Sequence, residues 1–129
     1  MTEQEDKDFR SILGREIYQA SMFILEPLEY TGDIVGNSHH IAQTLQEQCL
    51  AFIDGMPFSP KTICEIQKEP LKYFLYIIIR PIVIGRIPRS PLVDISASEM
   101  LVKVLVSQII KRLHNNLELT KLAQDIRNT

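Results

Sequence analysis

Apolar residues return at intervals of three and four over much of this chain, a rhythm that predicts a protein built mainly of helices. From about Lys7 to Leu25, Phe9, Ile12, Leu13, Ile17, Ala20 and Ile24 fall on one stripe with a single polar intrusion, Glu16. Glu26-Pro27 is expected to end or bend this helix, because proline pushes the residue before it out of helical geometry. Leu28 to Asn37 holds Gly32, Asp33, Gly36 and Asn37 and reads as a connection, with a short extended piece around Ile34-Val35. Ser38 is the expected N-cap of a second helix over 39–53, where Ile41, Leu45, Cys49, Phe52 and Ile53 repeat the spacing.

The stretch from Phe52 to Ile66 carries the densest local signals. Asp54-Gly55 is a stop, since glycine tolerates the left-handed conformation that closes a helix. Ser59 can cap the next helix and Pro60 suits its first position, which predicts a short helix from Pro60 to about Lys68. Between stop and start lie Met56, Pro57 and Phe58, an apolar plug that must be buried or bound.

Leu71 to Ile79 is a continuous apolar run that fits a buried strand or a helix; Pro70 followed by Leu71, Phe74, Leu75 and Ile78 favours the helix. Ile82 to Ile87 is short and β-branched and predicts a strand. After a turn at Pro88-Arg89-Ser90-Pro91, Ser96-Ala97-Ser98-Glu99 has the spacing of a capping box. Met100, Leu101, Val104, Leu105, Ile109 and Leu113 continue that helix to His114, and Val102, Val106 and Ile110 widen its apolar face. Asn115-Asn116 closes it, and a last helix follows over 117–127. The expected fold is one small helical domain, residues 1–129, of five to six helices with one short β element near 82–87.

At 129 residues the chain is long enough to bury a core of its own. Its formal charge of −2 argues against whole-protein attraction to nucleic acid or anionic membrane. Locally, Leu71 to Ser90 carries Lys72, Arg80, Arg86 and Arg89 with no acid, while the first eight residues are acidic on balance. The apolar run 74–79 is broken at Arg80-Pro81 and Gly85-Arg86, short of the roughly 20 residues that span a bilayer. Cys49 and Cys64 lack metal or redox spacing and fall at apolar helical positions, where a thiol packs as a small hydrophobe. Met1 to Asp6 lacks the basic start and apolar run of a signal peptide, so an intracellular location is expected.

Catalytic chemistry is not expected. There is no G-x-G phosphate loop and no H-E-x-x-H, and the adjacent His39 and His40 would point about 100° apart on a helix. Glu26 and Glu29 flank Pro27 and are expected in solvent. No cofactor or metal is implied, and a binding module is the natural expectation.

The segment Ile41 to Ile87 resembles the signature of the protein phosphatase 4 regulatory subunit 2 family. The resemblance rests on Phe52, Gly55, Met56-Pro57-Phe58-Ser59, Ile63-Cys64-Glu65-Ile66, Glu69-Pro70 and Lys72-Tyr73-Phe74. It implies a non-catalytic, nuclear and cytoplasmic subunit that binds the phosphatase catalytic subunit and a scaffold subunit, steering dephosphorylation during DNA-damage recovery. Met56, Pro57 and Phe58 would then either anchor the turn to the protein's own core or insert into the partner, with Lys61, Glu65, Lys72 and Arg80 as polar surroundings. A competing expectation is a winged helix-turn-helix built from 41–53, 60–68 and a strand at 82–87, turning Lys61, Lys68, Lys72, Arg80, Arg86 and Arg89 to phosphates. Glu65 in the middle of its second helix and the overall acidity weigh against nucleic acid. The apolar helix 98–114 suits either this domain's own core or a homo-oligomer surface.

Overall fold

Thr2 opens the first helix with a capping box: its hydroxyl accepts the Glu5 N–H at 3.1 Å, and its own N–H reaches the Glu5 carboxylate at 2.9 Å. That reciprocal bond holds the Glu5 carboxyl below its usual range, the Thr2 backbone N–H first and the hydroxyl second. The computed structural model describes residues 2–54, 69–86 and 95–127. In them stand five helices: α1 (Glu3–Thr31), α2 (Ser38–Asp54), α3 (Glu69–Ile84), α4 (Ile95–His114) and α5 (Leu117–Arg127). The expected short helix from Pro60, and with it Met56, Pro57, Phe58, Lys61 and Glu65, lies outside the described residues.

Helix α1 does not stop at Pro27. It continues to Thr31 and closes at Gly32, whose φ of +79° is the left-handed geometry glycine supplies. Two bonds complete the closure, Gly32 N–H to the Glu29 carbonyl at 3.1 Å and Asp33 N–H to the Leu28 carbonyl at 2.8 Å. Proline removes one helical hydrogen bond, but the packed inner face of the helix outweighs that loss. Asn37, not Ser38, caps α2: its side-chain oxygen accepts the His40 N–H at 3.2 Å. Ser38 is instead the first helical residue, and both its N–H and its hydroxyl go to Glu29.

The strand expected at 82–87 is absent over its described residues, 82–86. Residues 82–84 are the last turn of α3, and 85–86 form a turn closed by the Arg86 N–H on the Val83 carbonyl at 2.9 Å. Leu75, Ile79 and Val83, each a helical turn apart, are buried in the core, while Ile78 and Ile82 pack partly against it. Burying one side of a helix outweighs the strand preference of β-branched residues. One backbone bond, from Val35 N–H to the Arg86 carbonyl at 2.7 Å, ties the 32–37 loop to the end of α3.

Helix α4 begins at Ile95, so Ser96 lies inside it and does not cap it. The inward face of α4 is Ser98, Val102, Leu105, Val106, Ile109 and Leu113. Met100 and Val104, expected on the apolar side, point outward, Met100 at 67 % exposure. The helices close a ring: α1 packs on α2, α2 on α3, α3 on α4 and α4 back on α1, with α5 laid against α1 and α4. At Gly14 a Cβ would stand 2.9 Å from the Leu50 side chain, so glycine lets α1 and α2 approach closely there.

Two apolar residues of α4 separate the inward and outward faces. Leu105→Ala should cost about 2–5 kcal/mol of unfolding free energy by urea titration, the usual range for a buried leucine. Met100→Ala, on the outward side, should change it by less than about 0.5 kcal/mol.

Candidate functional site

The junction of α2 and α3 brackets the Met56-Pro57-Phe58 sequence, and there the fold leaves large aromatic groups uncovered. Phe52 near the end of α2 and Phe74 in the first turns of α3 meet with ring centroids 5.6 Å apart, and Phe52 is still exposed. Tyr73 is 63 % exposed and Ile77, one turn along, also faces outward. Helix α3 is apolar nearly all round because its sequence continues the core pattern onto the opposite face. Lys72, beside Tyr73, is exposed.

Of the expected polar surroundings, Lys72 and Arg80 are described, on one helix and about 12 Å apart along its axis. Arg80 is not a free rim charge. Its Nε donates to Glu99 of α4 at 2.5 Å, and the Tyr76 hydroxyl donates to the other oxygen of the same carboxylate. Lys72, Tyr76 and Arg80 succeed one another by single helical turns, so α3 brings a phenol and a guanidinium to one acceptor. The Tyr76 hydroxyl, and after it Arg80, holds the Glu99 carboxyl below its usual range; Glu99 in turn raises the Tyr76 hydroxyl.

A second polar cluster joins α1, α4 and α5. Glu16 is buried, and its two oxygens accept from Arg112 Nε at 2.9 Å and Asn116 Nδ2 at 3.1 Å. Arg112 also donates to the Gln19 side-chain Oε1 at 2.6 Å, and Arg15 pairs with Glu118 at 3.0 Å. An open cavity of about 510 Å³ lies beside it, lined by Glu16, Gln108, Lys111 and Arg112 among others. Glu16 spends both oxygens on fixed partners that hold three helices together, which is a structural use of a carboxylate.

Cys49 is fully buried, and burial pushes its thiol up to about 12, so it stays protonated and inert near neutral pH. His39 and His40 are exposed, and His39 Nδ1 is engaged by the Tyr18 hydroxyl. Glu26 is in solvent, whereas Glu29 is taken up by Ser38, whose hydroxyl and then N–H hold its carboxyl below the usual range. Among the described residues no group of three or more His, Cys, Asp or Glu is placed to hold a metal ion. Among them, too, no helix is long and apolar enough to cross a membrane. The buried residues of 98–114 face this protein's own core, leaving Met100 and Val104 as its outward apolar groups.

No family model matches the chain, and no curated protein or solved structure matches it.

The Tyr76–Arg80–Glu99 cluster carries a pH prediction. A carboxyl held below its ordinary 4.5 in the folded state adds stability above the unfolded-state value, and that contribution disappears as pH falls through the folded value. Urea stability measured from neutral pH into acid should therefore fall less steeply for Glu99→Gln than for wild type. Parallel curves would show that the cluster contributes nothing to acid sensitivity.

Proposed function

We propose that this chain is a non-catalytic binding subunit, similar to regulatory subunit 2 of a protein phosphatase 4 complex. In this role it holds a phosphatase catalytic subunit and a scaffold subunit, in nucleus and cytoplasm, through the surface where α2 ends and α3 begins. The observation that supports the reading is the aromatic junction itself. Phe52 and Phe74 flank the Met56-Pro57-Phe58 sequence on either side and are in ring contact, while Phe52 and the neighbouring Tyr73 remain exposed. Protein interfaces concentrate their binding energy in such aromatic anchors, surrounded by a polar rim. Lys72 lies on that rim, and Arg80 stands two turns away with its guanidinium fixed by Glu99. A charge held in place loses less freedom on binding than a loose one.

The test is titration of the purified chain against purified phosphatase 4 catalytic subunit. Tyr73→Ala should weaken binding by about 2 kcal/mol, the scale of an interface hot spot, with its melting temperature unchanged because the ring is exposed. Phe58→Ala, checked for folding by the same melt, should weaken it as well. Absence of binding by the wild-type chain, or binding that neither substitution alters, would remove the reading. Capture of duplex DNA that falls steeply with salt, in place of the phosphatase, would put the nucleic-acid expectation in its stead.

A further inference from the structure

The last three turns of α1 carry a second exposed aromatic surface, on a different helix from the junction above. Their inner side is complete: Ser21 and Leu25 are buried, and Ile24 and Leu28 pack against the core. Their outer side shows Phe23 at 65 % exposure and Tyr30 at 93 %, with Glu26 and Pro27 exposed between them. Phe23, Glu26 and Tyr30 follow the alternating three- and four-residue spacing of a helix seam, with two aromatic rings one heptad apart. A shallow hollow lies along this stripe, lined also by Met22 and Thr31.

The stripe carries two acceptors beside the Tyr30 hydroxyl, which can donate or accept. The Glu26 carboxylate has no hydrogen bond or ion pair among the described residues, whereas its neighbours Glu29 and Asp33 are used by Ser38 and Thr31. Pro27 has no N–H to give to the Phe23 carbonyl one turn back, so that carbonyl loses its helical donor at the same place. The surrounding sequence has the same sign. From Glu16 to Pro60 there is not one lysine or arginine, and eleven of the fourteen basic residues come after Pro60; of the six carboxylates in that run, Glu16 and Asp54 are ion-paired, with Arg112 and Arg10.

The complement to this surface is defined by chemistry. Lysine and arginine are donors without acceptors, they sit favourably over tyrosine and phenylalanine rings, and their charge offsets an unpaired carboxylate. Two rings spaced by a heptad fit apolar residues repeated along a second helix. We propose that the stripe Phe23–Glu26–Pro27–Tyr30 is a docking surface for a cationic amphipathic helix of a partner protein. The surface does not involve the α2–α3 junction, and it stands or falls separately from the phosphatase reading.

The probe is a synthetic helical peptide with leucines along one face and lysine and arginine flanking them, titrated into the full-length chain. One control peptide carries glutamate at the basic positions, and another keeps the charge but scatters the leucines. The cationic amphipathic peptide should bind, weakening as salt rises, and neither control should. The double variant Phe23→Ala/Tyr30→Ala should bind it about tenfold or more weakly. Glu26→Lys should do the same, and both variants should melt like wild type because the substituted side chains are exposed. Failure of the cationic peptide to bind would overturn the proposal, as would equal binding of the glutamate peptide or binding untouched by the double variant. Sedimentation of the chain alone decides the other occupant: a self-associated species that the double variant abolishes would assign the stripe to a second copy of this chain.

Discussion

A buried carboxylate in the first helix sets the position of the last two. Glu16 sits on the core side of α1 with almost no contact with water. An ionised carboxylate there costs several kcal/mol unless its charge and lone pairs are answered. Arg112 answers from the last turn of α4 and Asn116 from the link between α4 and α5. Asn116 serves two ends at once, since its amide nitrogen donates to Glu16 while its amide oxygen accepts the Leu119 N–H at 2.8 Å and so caps α5. An isolated helix of eleven residues is marginal in water. Here its first turn is fixed to the partner of a buried charge, and Leu119 completes its docking by burial. The same polar residue that interrupts the apolar stripe of α1 is therefore what orders the C-terminal part of the fold.

The helices were legible where apolar spacing had only one solution. Phe9, Ile12, Leu13, Ile17 and Ala20 in α1 mix odd and even positions, which a strand would send to opposite faces and a helix gathers on one, and all are buried. Legibility failed where two solutions fit. In α4 the rows 101, 105, 109, 113 and 100, 104 both keep helical spacing, and only the positions of α1 and α3 decide that Met100 and Val104 face out. Ile82-Val83-Ile84 looks like a strand by side-chain type, yet α4 and α2 offer α3 a groove that a helix fills. Caps were misread because several serine and asparagine residues competed for each end. Ser96 and Glu99 have capping-box spacing, but Tyr76 and Arg80 draw Glu99 into the α3–α4 contact; the true capping box of this kind stands at Thr2 and Glu5.

The site was less legible than the fold, for a physical reason. Lys72 and Tyr73 announce themselves locally, as an exposed cation and ring at a helix start. The role of Arg80 depends on Glu99, a residue nineteen positions away whose approach is set by packing and leaves no mark in spacing. The α1 stripe did leave a mark, in the long run without lysine or arginine, but its meaning depends on knowing that the helix runs through Pro27 and turns Phe23 and Tyr30 to the same side. Taken as a helix stop, Pro27 hides the stripe; taken as a helical residue, it joins Phe23 to Tyr30 on one face.

The net charge of −2 conceals a separation of sign along the chain. The outer face of α1 offers aromatic rings with carboxylate and carbonyl acceptors, and the start of α3 offers aromatic rings with a lysine. Neither α1 nor α3 needs those outward rings for its own burial, because each has a complete inner row: Leu13, Ile17, Ala20 and Leu25 in one, Leu75, Ile79 and Val83 in the other. Water-facing positions of a helix cost least when polar, as Gln19 and Glu26 of α1 illustrate. Under the two proposals, such surfaces of opposite polarity on one ring of helices would hold unlike partners at a spacing fixed by the core. The rigidity comes from the ring: α1 and α3 are each packed against both α2 and α4, so neither surface shifts without repacking two interfaces.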